Sequence, residues 1–185
     1  ALGHLKVLAV LGLRRGERLG IWSPNRVEWL VTQFATARIG VILVNINPAY
    51  RTHEVQYALN QSGCKGLVSA TEFKTSDYVT MVKEVRDDLP DLEQVVFIGT
   101  EDWDRLLADA APVSSETVAD IERTLAPSDP INIQYTSGTT GFPKGATLNT
   151  AFELAYWHWG LEAAQRWREH LGLPREPRWQ RRTAH

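Results

Sequence analysis

Short apolar runs alternate along the chain with longer stretches in which apolar positions return every three or four residues, the rhythm of strands and helices taking turns. RLGIW at 18–22 has the length and content of a strand. Ser23, Pro24 and Asn25 follow as turn residues, so a helix is expected to begin there, capped by Asn25 with Glu28 completing the box. Val27, Leu30, Val31 and Phe34 supply its apolar face, and Gly40 ends it. VILVN at 41–45 is a β-branched and aliphatic run suited to a strand buried on both faces. Thr52 is expected to cap the next helix, HEVQYALNQ, and Ser62-Gly63 to stop it. The order then repeats, with GLVS at 66–69 as strand, SDYVTMVKEVRDDL as a helix ending before Pro90, and QVVFI at 94–98 as strand. Residues 99–130 are polar, acidic and proline-punctuated, with short helices around 103–110 and 116–125, and read as a surface excursion before INIQYT re-enters at 131–136. Strands of this length between helices predict βαβ units, a parallel sheet and a three-layer α/β domain.

Composition narrows the partners. The 185 residues are 43% hydrophobic and 23% charged, ordinary for a globular protein, and the net charge is −2. With a pI near 6.2 the chain lacks the basic face of a nucleic-acid binder. Cys64 is the single cysteine, which leaves no intrachain disulfide or cysteine zinc cluster and fits a reducing compartment; a cytoplasmic protein is expected. Lys6 interrupts the opening LGHLKVLAVLGLRR and the paired arginines follow the apolar run, so an amphipathic helix fits better than a signal peptide. The most apolar later stretch, 40–50, stops at Arg51, too short for a transmembrane segment.

The stretch QYTSGTTGFPKGATL, 134–148, carries the chemistry. Gly138, Gly141 and Gly145 accept turns closed to other residues, and successive turns of that kind aim backbone N–H groups into a concavity that suits an anion. A Walker loop fails here, because Lys144 is followed by Gly145 instead of the hydroxyl residue that would hold magnesium. No GxGxxG fingerprint is present, and Ser137 does not lie in a GxSxG elbow. Other polar and aromatic residues carry less. His53 at a helix start is expected to be solvated, Glu101, Asp102 and Asp104 to form a solvated acidic turn, Trp22, Trp29 and Trp103 to be core or boundary aromatics, and Arg51 to pack or pair at the surface.

The decapeptide TSGTTGFPKG at 136–145 resembles the phosphate loop of the adenylate-forming, AMP-producing acyl-CoA synthetases and their luciferase and peptide-synthetase relatives. GIWSPNRVEW at 20–29, residues 32–63 and DPINIQYTSGTTGFPKGATL at 129–148 are similar to the medium- and long-chain fatty-acid branch. The resemblance implies a parallel-sheet portion of the large N-terminal domain of such an enzyme over 1–150. It implies ATP, Mg²⁺ and coenzyme A as reaction partners and a fatty acid as substrate. It also implies that Thr136, Ser137, Gly138, Thr139, Thr140, Gly141 and Gly145 hold the ATP phosphates, and that Lys144 steadies the β and γ phosphates during the reaction. No residue is assigned to a metal.

The match fails beyond Leu148, where Asn149-Thr150-Ala151 stands in place of the family's Ser/Thr-His pair. The acidic adenine motif, the ribose aspartate and the lysine-bearing lid that the family uses are not found, and Ala1 opens inside an apparent helix, so an N-terminal fragment is expected. Residues 151–185 hold four of the seven Trp and three of the five His, with six Arg and no Lys. They are expected to be a helix over 152–171 and then an unstructured end, either a foreign or out-of-frame tail, a helix patching a cut sheet, or a basic tail that touches a partner. Two functional expectations stand side by side: part of an ATP-dependent fatty-acid CoA ligase, or an inactive fragment that serves at most as a phosphate-binding or interaction module, self-associating through an uncovered sheet edge.

Overall fold

The computed structural model describes residues 11–110, 115–136, 144–149, 159, 162–163 and 165–175. Within them run β1 (Arg18–Trp22), α1 (Val27–Ile39), β2 (Ile42–Ile46), α2 (Thr52–Ser62), β3 (Cys64–Ser69), a small ribbon of β4 (Glu72–Phe73) and β5 (Ser76–Asp77), α3 (Tyr78–Val85), β6 (Gln94–Phe97), α4 (Glu101–Ala110), α5 (Ser115–Glu122), β7 (Pro130–Thr136) and β8 (Lys144–Asn149). One six-stranded sheet has the order β6-β3-β1-β2-β7-β8. Every pairing in it is parallel except β7 with β8. The parallel sheet of an α/β domain expected from the alternation is therefore present, with one antiparallel return at the β8 edge.

Strand periodicity divides the core. Leu19, Ile21 and Leu43 face a cluster with Ala35 and Ile39 of α1 and Trp103 and Leu106 of α4, whereas Trp22, Val44 and Ile46 face Val55 and Leu59 of α2 and Tyr78 and Val82 of α3. Helices thus cover both faces, giving three layers. Trp103, Leu106 and Val118 are buried, which corrects the reading of 99–130 as a surface excursion. The segment is acidic only on its outer side, and an apolar residue every third or fourth position suffices to dock each short helix.

Two helix starts also differ from expectation. Arg26, not Asn25, precedes the first turn of α1, and its side chain makes no cap; the guanidinium binds Glu28 at 2.8 Å instead. At α2, Arg51 takes the cap position and Thr52 is already helical, while the Glu54 carboxylate accepts the Arg51 N–H at 3.0 Å. The helix ends follow the glycines, Gly40 at φ 72° and Gly63 at φ 60°, both in the left-handed region.

The face of α1 is a larger correction. Thr32, Ala35, Thr36 and Ile39 are buried, and Val27, Leu30 and Phe34 lie on the outer side. Small residues let the helix approach the sheet closely. The Thr32 hydroxyl donates to the Glu28 carbonyl at 2.7 Å and that of Thr36 to the Thr32 carbonyl at 3.1 Å, so neither is buried without a partner. After 150, residues 165–170 are helical, and the turn closes on Gly172 at φ 71° with the Leu173 N–H donating to the Arg168 carbonyl at 2.8 Å. Among the described residues no helix is long and apolar enough to cross a membrane.

Candidate phosphate-binding site

β7 runs parallel to β2, with Leu43 beside Asn132 and Asn45 beside Gln134, so its end lies at the carboxyl edge of the sheet, where open α/β sheets hold ligands. β8 turns back along it. Thr136 stands opposite Lys144 and Tyr135 opposite Gly145, so the two ends of the glycine loop are held side by side as neighbouring strand residues. Of the expected site residues, the structure brings together Thr136, Lys144 and Gly145. Ser137, Gly138, Thr139, Thr140 and Gly141 lie outside the described residues. Lys144 and Gly145 are exposed.

The entry strand is anchored from below. The Tyr135 hydroxyl donates to the Ala58 carbonyl of α2 at 3.0 Å, and burial pushes this phenol up to about 12. Gly145 serves the same anchor, since a Cβ there would sit 3.1 Å from Ile133 Cγ2 and 3.7 Å from the Tyr135 ring. An open pocket of about 280 Å³ between α2 and the hairpin is lined by Ser62, Ile133, Tyr135, Lys144 and Gly145 among others.

On the other face a row of amides crosses from α1 to the strands. Asn45 Nδ2 donates to Asn132 Oδ1 at 3.0 Å, and Asn132 Nδ2 donates to Gln33 Oε1 at 3.2 Å. Asn132 is only 1% exposed, and Asn45 Oδ1 is buried with no hydrogen-bond partner among the described groups. The sequence carried a signal for them, a polar residue inside each of two apolar strand runs. Nearby, Trp22 stacks on Tyr78 with ring centroids 3.6 Å apart, and the two donate to successive carbonyls, Trp22 Nε1 to Asn47 at 3.1 Å and the Tyr78 hydroxyl to Pro48 at 2.6 Å. That pair fixes the loop leaving β2 at the same carboxyl edge.

The lesser candidates have simple local settings. Arg51 donates to Ser76 Oγ at 2.8 Å, His53 is exposed, and Asp102 pairs with Arg105 at 3.0 Å. Among the described residues no three His, Cys, Asp or Glu gather as a metal set. Cys64 is buried beside Ser62, and burial pushes its thiol up to about 12, so it is inert near neutrality.

The comparisons with known proteins agree with this geometry. A medium-chain acyl-CoA ligase of Mus musculus, ACSF2, named as mitochondrial, is 43% identical over 161 residues, covering 77% of this chain and 26% of that protein. Its Danio rerio counterpart is 39% identical over 186 residues, covering 90% of this chain and 30% of that one. The solved structure of a long-chain-fatty-acid-CoA ligase from Archaeoglobus fulgidus, 28% identical, superposes with a TM-score of 0.66 over 86% of this chain and 29% of its own. The chain thus spans between a quarter and a third of the length of these relatives. The family model described as AMP-binding enzyme matches residues 6–173, and the chain belongs to that family.

Proposed function

We propose that the chain is the phosphate-holding part of an ATP-dependent fatty-acid CoA ligase. The observation that carries this reading is the hairpin that sets Thr136 against Lys144 at the carboxyl edge of a parallel sheet, with the family's loop sequence between them. In the reaction a carboxylate attacks the α-phosphorus of ATP, pyrophosphate leaves, and the thiol of coenzyme A takes the acyl group from the adenylate. The Lys144 ammonium extends from an exposed strand end and offers charge and three donors to the β and γ phosphates. Thr136, Ser137, Thr139 and Thr140 add hydroxyl or N–H donors, and Gly138, Gly141 and Gly145 let backbone come close. Tyr135 holds the entry strand in place through Ala58. Mg²⁺, carried on the nucleotide phosphates, would neutralise charge on the leaving group.

The relatives are named medium-chain ligases, so a medium-chain fatty acid is the first substrate to test. A cytoplasmic setting stays a proposal, beside the mitochondrial one stated in the names of those relatives. Calorimetric titration of the chain with MgATP, with hydroxamate trapping of acyl-adenylate alongside, tests the function. Nucleotide binding with trapped adenylate supports the ligase. Binding without adenylate supports the second reading, a phosphate-binding module without turnover. Absence of binding rejects both.

A further inference from the structure

Among the described strands, the hairpin that carries the glycine loop joins the rest of the sheet through β2 alone, over three registered pairs: Leu43 with Asn132, Val44 with Ile133 and Asn45 with Gln134. Apolar packing does little to choose that register. On the α2 side β7 presents Ile131, Ile133 and Tyr135 in turn, so a slip of two residues exchanges one large apolar side chain for another. On the α1 side the choice is polar. Asn132 bonds to two elements at once, accepting from Asn45 of β2 at 3.0 Å and donating to Gln33 of α1 at 3.2 Å. Ala35 and Ile39 in turn fix α1 on the sheet. A slip of two residues moves β7 by roughly 6.6 Å, about twice the length of either bond, and takes Asn132 away from Gln33. A slip of one turns Asn132 to the opposite face. The row is not the most stable filling of that space. Asn132 is buried and Asn45 Oδ1 is buried without a partner among the described groups, a burial that an apolar pair of the same size avoids.

We propose that Asn45, Asn132 and Gln33 are positioning residues that hold β7 at the one offset that sets Thr136 and Lys144 at the carboxyl edge, much as a single buried asparagine fixes register in a coiled coil at a cost in stability. The consequence for nucleotide rests on the phosphate-holding role proposed above, whereas the register itself does not. A merely structural role would lower the melting temperature of the Asn45→Leu, Asn132→Leu double variant and leave the register alone. A register-setting role reverses this. The double variant is expected to melt at or above the parent, to lose the nuclear Overhauser contacts between the Val44 and Ile133 backbones in favour of contacts to Ile131 or Tyr135, and to bind MgATP roughly tenfold more weakly or worse. Should it lose its cooperative melt, Gln33→Leu cuts the row at its half-buried end and is expected to give the same changes in contacts and affinity, while Gln33→Glu, which keeps the acceptor, behaves as the parent. Parent contacts retained in the leucine variants would overturn the proposal and leave the Tyr135–Ala58 bond to hold the strand. A shifted register with unchanged MgATP affinity would overturn the positioning role. A parent chain that binds no MgATP would reject the function proposed above, and the backbone contacts would still decide the register.

Discussion

Lys144 opens β8 directly across from Thr136, and both positions were legible because the loop motif fixes its own spacing without reference to the rest of the fold. In its proposed role Lys144 makes charge-assisted bonds to phosphate worth about 1.5–3 kcal/mol, so Lys144→Ala is expected to lower MgATP affinity roughly tenfold or more by calorimetry. The thermal midpoint without nucleotide is expected to change far less than the nucleotide affinity, because Lys144 is exposed. The amides of Asn45 and Asn132 were not legible as a pair, since they meet only when strands 87 residues apart come together. Cys64 supports a prediction of pH dependence. Its folded-state value lies near 12 against an ordinary value of 9.0, so the buried neutral thiol contributes fully below pH 9. Between pH 9 and about 12 the unfolded chain loses the proton that the folded chain keeps, and stability falls by roughly 1.4 kcal/mol per pH unit from this group alone. Urea titrations at pH 8 and 10.5 should show a smaller loss for Cys64→Ala than for the parent.

At the level of elements, the helix ends were readable and the helix faces less so. Gly40 at φ 72° would place an added Cβ 2.8 Å from Leu125 Cδ2 and 2.9 Å from Arg15 Cγ. Gly40→Ala is accordingly expected to destabilise by about 1–2 kcal/mol from the left-handed backbone alone, with the contacts adding more, read as a lowered urea midpoint with unchanged slope. The start of α1 has the opposite potential. Arg26 occupies a cap position without capping, so Arg26→Asp should stabilise by up to about 1 kcal/mol less whatever the Glu28 pair contributes, and a lower melting temperature would show that the pair outweighs the cap. Periodicity told that α1 has an apolar stripe, but not that the sheet would take the Thr32–Ala35–Thr36 side. That choice rests on close approach and on hydroxyls that bond back along the helix, neither of which a hydrophobicity pattern expresses. In α4 Trp103 was readable as a core or boundary aromatic, but the acidic composition hid Leu106, and the two anchors one turn apart are enough to seat the helix.

For the whole molecule, alternation of short runs and helical stretches gave the parallel sheet, because parallel strands buried on both faces leave so plain a trace. The order of the strands needed the structure. β1 sits at the centre, β2 and β3 flank it, and β7 returns to the far side of β2 after the chain has built everything from β3 to α5 on other edges. That detour makes a statement about time. The pairings among β1, β2, β3 and β6 close comparatively short loops, whereas β7 must find β2 across nearly half of the chain, the contact with the largest entropic cost in the sheet. Pulse-labelled hydrogen exchange during refolding is therefore expected to protect β1 to β6 first and β7 in a later phase, and simultaneous protection would refute the order. A nascent polypeptide would thus hold an assembled scaffold before its glycine loop exists, and nucleotide added to a refolding mixture is expected to accelerate or stabilise only the final docking step.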